Sequence, residues 1–176
     1  MEKLKSIDYT ILFALMKNSK ISDRQLAREI GVSQPTVTRR RARLEKEAID
    51  GYTAIPKWAK IGYEILAITF VKSNQSLGLK GNFEAAYEKG RKWLMKHPNV
   101  LMSGGSRGMN MNGFMISVHK SYSDFDKFMS DHKRELGDMF TDIQTAIVNL
   151  EGNDILKPLH LKYLADARAR PLKNGQ

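Results

Sequence analysis

The chain has 176 residues and a formal net charge of +10, with 41% hydrophobic and 27% charged residues. That is the composition of an ordinary globular protein, with room for one large domain or two small ones, and it excludes a disordered chain. It has no cysteine, which excludes disulfides, thiolate metal sites and thiol catalysis.

The N-terminal MEKLKSIDYT lacks the apolar core of a signal peptide, and no apolar run approaches the roughly 18 residues that span a bilayer. A cytoplasmic protein without membrane contact is expected. The net charge is +4 over residues 1–56, +2 over 57–154 and +4 over 155–176, so the basic excess lies at the two ends. Such an excess favours phosphate backbones through counterion release.

Ile7, Ile11, Leu12, Leu15 and Met16 recur at helical spacing and predict a first helix over 7–17. A second, about 23–30, carries Leu26, Ala27 and Ile30 on one face. Ser22 is its expected cap, with Gln25 in the capping-box position, and Gly31 its stop. Ser33 caps a third helix over about 34–48, with Pro35 in the first turn. Two short capped helices joined by a glycine turn make a helix-turn-helix. Counting 100° per residue, Val37, Leu44 and Ala48 of the third helix face the core, flanked by Arg41. Pro35, Thr36, Arg39, Ala42, Arg43 and Lys46 point away, a basic side suited to the major groove of DNA. Helix-turn-helix proteins reach base edges from the N-terminus of this helix. Gln34, Pro35, Thr36, Thr38, Arg39, Arg43 and Lys46 are therefore the candidate DNA-binding residues. Arg40 flanks the core side, where an ion pair with Asp8 is expected instead of base contact.

Residues 51–57 read as a short strand, the wing and linker. ILAITFV, 65–71, predicts a strand buried on both faces, and 78–82 a loop. Phe83, Ala86, Tyr87, Gly90, Trp93 and Leu94 define an amphipathic helix that stops near His97-Pro98. Strands follow at 100–103 and 113–119, joined through the glycine- and asparagine-rich stretch 104–113. A helix over 123–136 carries Phe125, Phe128, Met129, His132 and Leu136 on one face, and 145–150 is the last strand. The order is βαββαβ. Two helices cover one sheet face, and an identical sheet is the expected cover for the other, which makes a homodimer. The tail predicts a short helix over 159–167, and its Lys157, Lys162, Arg168 and Arg170 suit either DNA, a neighbouring subunit or solvent.

LAREIGVSQPTVTRRRARLE followed by GYTAIP, with Asp8 ahead of Ile11-Leu12, resembles the Lrp/AsnC (leucine-responsive, feast/famine) transcriptional regulators. The likeness runs over about 4–151, by motif to residue 56 and mostly by topology after it. It implies an α+β fold, an N-terminal winged helix-turn-helix followed by a βαββαβ ferredoxin-like domain. The corresponding divisions are 1–50 for DNA binding, 51–60 for wing and linker, 61–151 for dimerisation and effector sensing, and 152–176 for a basic extension. The resemblance also implies a homodimer able to build tetramers or octamers on double-stranded DNA, and a small amino-acid-like effector.

Three departures from the family pattern stand out. The third helix ends Ala48-Ile49-Asp50, where the family has glycine and two apolar residues. Arg41 occupies a position that is usually apolar. The effector loop, usually Gly-Asp-x-Asp, reads Gly108-Met109-Asn110-Met111-Asn112, so amides and thioethers replace two carboxylates. This argues against the usual amino-acid effector and leaves these five as candidate effector-binding residues. Residues 104–108 suit a hairpin connection better than an anion nest.

His97, His119, His132 and His160 show no metal-ligand spacing, and His132 is expected to pack in the core. No catalytic constellation, cofactor or metal site is expected. The function that follows is a sequence-specific transcriptional regulator. The alternatives are an architectural DNA-binding protein or a regulatory subunit of an enzyme.

Overall fold

A computed structural model describes residues 3–74, 76, 83–152 and 155–169. The expected loop 78–82 and Arg170 lie outside them. The chain divides into two compact units, one of residues up to Ile55 with the segment from Pro158, the other Pro56–Lys157.

The first unit holds α1 (Ser6–Lys17), α2 (Asp23–Ile30), α3 (Gln34–Glu47) and α6 (Lys162–Ala169). Ile11, Leu15, Ile21, Leu26, Ala27, Val37 and Leu44 form its core. The heptad spacing of Val37 and Leu44 is what turns one face of α3 inward. Ala48, expected on that face, is the exposed C-cap, and Ile49 packs on the core in its place. The tail helix begins a few residues later than expected and packs on α1. Its Ala165 is buried, and Asp166 meets Lys17 at 2.8 Å.

Residues 51–57 form no strand. No neighbouring strand pairs with them, and Pro56 has no N–H to donate. The expected wing strand is thus an extended linker that leads into a 3-10 turn, Trp58–Ile61.

The second unit is a four-stranded sheet in the order β2-β3-β1-β4, built from β1 (Ile65–Ser73), β2 (Val100–Gly108), β3 (Met111–His119) and β4 (Phe140–Asn149), all neighbours antiparallel. Helices α4 (Phe83–Lys96) and α5 (Tyr122–Leu136) make the two crossovers. β2 runs five residues past its expected end, because Gly104 and Gly105 pair with Phe114 and Gly113. Glycine serves here through its size: a Cβ on Gly113 would lie 2.8 Å from Val71 Cγ2. β4 begins five residues earlier than expected, its polar Thr141, Asp142 and Gln144 exposed along an edge.

β1 is not buried on both faces. Ile65, Ala67 and Thr69 are buried, while Leu66, Ile68 and Phe70 are only half-buried. In the register these three share their face with Val118, Ile116 and Phe114 of β3. On the helix face, Trp93, Met115, Phe128 and Leu136 form the core. Three histidines far apart in sequence gather in that layer. His97 stacks on Trp93 at 3.8 Å, His119 lies 4.9 Å from Phe128, and His132 sits between Trp93 and Phe140.

Burial, with His97 nearby, pushes the His132 imidazole down to about 4. The unfolded chain takes up this proton near pH 6.5 and the folded one only near 4, so stability drains away as pH falls between those values. Urea titrations of the protein from pH 7.5 to 4 are expected to show a loss of ~3 kcal/mol over that window from this group. His132→Phe should flatten the profile.

Candidate nucleic-acid interface

Local chemistry builds the helix-turn-helix. Ser22 Oγ accepts from the Gln25 N–H at 3.2 Å and caps α2. Gly31 ends α2 at φ 73, a left-handed conformation that costs a side-chain-bearing residue about 1–2 kcal/mol. Ser33 Oγ then accepts from the Thr36 N–H at 3.4 Å and lies 2.8 Å from its hydroxyl, which starts α3.

The α3 cations have separate fates. Asp8, fully buried on α1, receives three donors: the Lys5 N–H at 2.8 Å, Arg40 Nη1 at 2.8 Å and Arg43 Nη2 at 2.6 Å. Burial alone would raise its carboxyl pKa. The Lys5 bond and the two guanidiniums outweigh this and hold it below the ordinary value. Arg41 donates to Asp23 and to the Ile21 carbonyl from Nη1, to the Ser19 carbonyl from Nη2 and to Glu45 from Nε. Its guanidinium also lies 5.6 Å from the ring of Tyr52, whose hydroxyl donates to Glu45. Arg41 is thus the pin that joins α3 to the α1–α2 turn and to the linker.

Of the seven expected DNA residues, Gln34, Pro35, Arg39 and Lys46 are exposed. Thr36 is half-buried with its hydroxyl against Ser33, and Thr38 is exposed but donates to Asp23 at 2.7 Å. Arg43 departs from the expected outward orientation. Its Cα is on the outer side, yet its long side chain wraps back to Asp8, with Nε also 3.9 Å from Glu47. Angular counting locates a Cβ, not the end of a flexible arginine. Arg40 meets Asp8 as expected. Sequence reasoning passed over Arg24 and Arg28, exposed on α2 one turn apart. The available signal was their position opposite Leu26, Ala27 and Ile30.

In the sheet unit, the expected effector segment is a tight hairpin turn. Gly108 pairs with Met111 across Met109 and Asn110, both at positive φ (52 and 58). Met111 is buried, and Asn112 Oδ1 accepts from the Ser73 N–H at 2.8 Å. A cavity of about 310 Å³ opens elsewhere on the unit, lined by Tyr63, His97, Lys120, Asp124 and Lys127 among others. No helix among the described residues is long and apolar enough to cross a membrane.

Arg41→Ala strips the hydrogen bonds from Asp23 and two backbone carbonyls. It is expected to cost about 1.5–3 kcal/mol in chemical denaturation, with the largest chemical-shift changes in 19–23 and around Tyr52.

Residues 4–45 match the model of the AsnC-type helix-turn-helix domain. An HTH-type transcriptional regulator of Pyrococcus abyssi is 37% identical over 71 residues, 40% of this chain and 48% of that protein. The leucine-responsive regulatory protein of Rhizobium meliloti is 30% identical over 109 residues, 59% of this chain and 66% of that protein. The chain therefore spans about half the length of the first relative and just under two thirds of the second. Among solved structures, a transcriptional regulator from Neisseria meningitidis in complex with L-Met has the same fold, with a TM-score of 0.74 at 20% identity over 92% of this chain and 99% of that one. The chain thus carries an AsnC-type helix-turn-helix over residues 4–45, ahead of a βαββαβ sheet, and is similar to regulators of the Lrp/AsnC type.

Proposed function

We propose that this protein is a sequence-specific, DNA-binding transcriptional regulator that acts as a homodimer and responds to a small-molecule effector. The observation that carries the DNA reading is the capped helix-turn-helix with Gln34, Pro35 and Arg39 exposed on the first turns of α3. These turns enter the major groove in helix-turn-helix proteins, while the preceding helix crosses the backbone. Arg39 is assigned to a base edge, and Arg24, Arg28 and Lys46 to phosphates, where they set position and affinity without reading sequence.

The dimer is assigned to the sheet face opposite α4 and α5. Leu66, Ile68, Phe70, Phe114 and Ile116 line it half-buried, and Met102, paired with Ile116, is exposed. A second copy buries that face, and a two-fold axis then presents two recognition helices about one helical turn of DNA apart, or a multiple of it. An effector shifts such an assembly only by binding its states with different affinity. The Neisseria regulator's L-Met complex makes L-methionine the first ligand to try.

Selection of bound duplexes near physiological salt is the primary test. A palindromic consensus held ~10³-fold or more above unrelated DNA fits a regulator, while a featureless pool fits an architectural binder. Arg39→Ala is expected to weaken the best selected site by roughly 5- to 150-fold. Ile116→Glu is expected to give a folded monomer in analytical ultracentrifugation, with DNA affinity reduced alongside. In L-methionine calorimetry, binding lost in Asn112→Ala places the effector at the hairpin, and binding lost in Lys127→Ala places it in the 310 Å³ cavity.

A further inference from the structure

α3 carries four arginines, yet the structure spends three of them internally. Arg41 is held by Asp23 and Glu45, and Arg40 and Arg43 by Asp8. Asp8 is fully buried and cannot itself meet a ligand. Its influence on the interface runs through the two guanidiniums it retains. We propose that Asp8 is a positioning residue that sets the selectivity of α3: by holding Arg40 and Arg43 on α1, it keeps two cations off the phosphate backbone and leaves base reading to Arg39. The inference rests on the DNA-binding function proposed above.

A guanidinium on phosphate strengthens binding to every sequence alike, whereas one on a guanine edge favours particular sequences. An Arg43 free of Asp8 would therefore raise affinity for all DNA and lower the ratio of specific to non-specific binding. Arg43 is placed for this. It lies on the outer side of α3 and its side chain is a quarter exposed, with the Asp8 carboxylate at 2.6 Å and Glu47 at 3.9 Å among the groups that hold it. Asp8→Asn keeps the shape and an acceptor for the Lys5 N–H while removing the charge that retains Arg43.

The test measures fluorescence anisotropy of the full chain on two labelled duplexes, the one recovered by selection and an unrelated one of equal length, across a salt series. Asp8→Asn is expected to bind the unrelated duplex several-fold more tightly at low salt and to narrow the ratio between the two. Its plot of log K against log salt should steepen by about 0.9 for each released arginine that finds a phosphate. Arg43→Gln is expected to keep the wild-type slope. A folded Asp8→Asn protein with wild-type slope and ratio overturns the inference. So does an Arg43→Gln slope shallower by about 0.9, which would put Arg43 on phosphate in the wild-type complex. If Asp8→Asn does not fold, the Arg43→Gln slope decides alone. A wild-type protein that binds neither duplex removes the DNA-binding function, and this inference with it. Wild-type binding with an unchanged Asp8→Asn slope removes the inference only.

Discussion

The helical unit depends on one buried negative charge. A carboxylate taken out of water carries a penalty of several kcal/mol unless its partners restore what solvent supplied. Asp8 is fully buried, and three donors converge on its two oxygens. One donor comes from the start of its own helix and two from α3. The pairs therefore add little net stability over an apolar contact of the same shape, but their loss would strand a charge. The consequence is geometric, because α3 can turn or slide against α1 only by breaking both arginine contacts at once. The apolar residues Ile11, Leu15, Val37 and Leu44 tolerate such a shift far better than charge-assisted hydrogen bonds do.

What was legible in the sequence follows the same division between local and long-range interactions. The two serine caps and the Gly31 stop rest on contacts within three or four residues, and they stand as expected. The βαββαβ order was legible for a related reason, since the hydrophobic period changes sharply between strands and helices. Strand extent was not. β2 runs through the glycines because β3 offers them a ladder, and 51–57 forms no strand because nothing pairs with it. The same limit applies to the arginines. Helical counting put Arg39 outside and Arg40 on the flank correctly. It could not see that a buried carboxylate 35 residues away would draw the head of Arg43 back.

The sheet unit shows the complementary case, in which residues without any pattern in sequence share one environment. His97, His119 and His132 lie on α4's end, β3 and α5, and each meets Trp93 or Phe128. Each of the three imidazoles is held by packing among aromatic rings. The cost appears as sensitivity to acid. Burial depresses the proton affinity of both His119 and His132, so the layer between helices and sheet is soundest with both rings neutral. The opposite face shows the reverse bias, with half-buried apolar side chains and few groups that can titrate.

The charge of a segment and the charge it can deliver are thus different quantities. The stretch Arg39–Arg43 looks like a phosphate-binding run, and composition alone would assign all four cations to the backbone of DNA. Three are consumed by carboxylates within the same unit. The exposed cations Arg24, Arg28, Arg39 and Lys46 are instead shared between α2 and α3. For a sequence-specific DNA-binding regulator, the function proposed above, that distribution has a physical advantage. Backbone affinity grows with every added phosphate contact and is the same on all sequences, so each arginine held inside the fold limits how long the protein stays on the wrong DNA. An internal carboxylate that anchors α3 and also restrains its charge serves fold and selectivity through the same two hydrogen-bonded pairs.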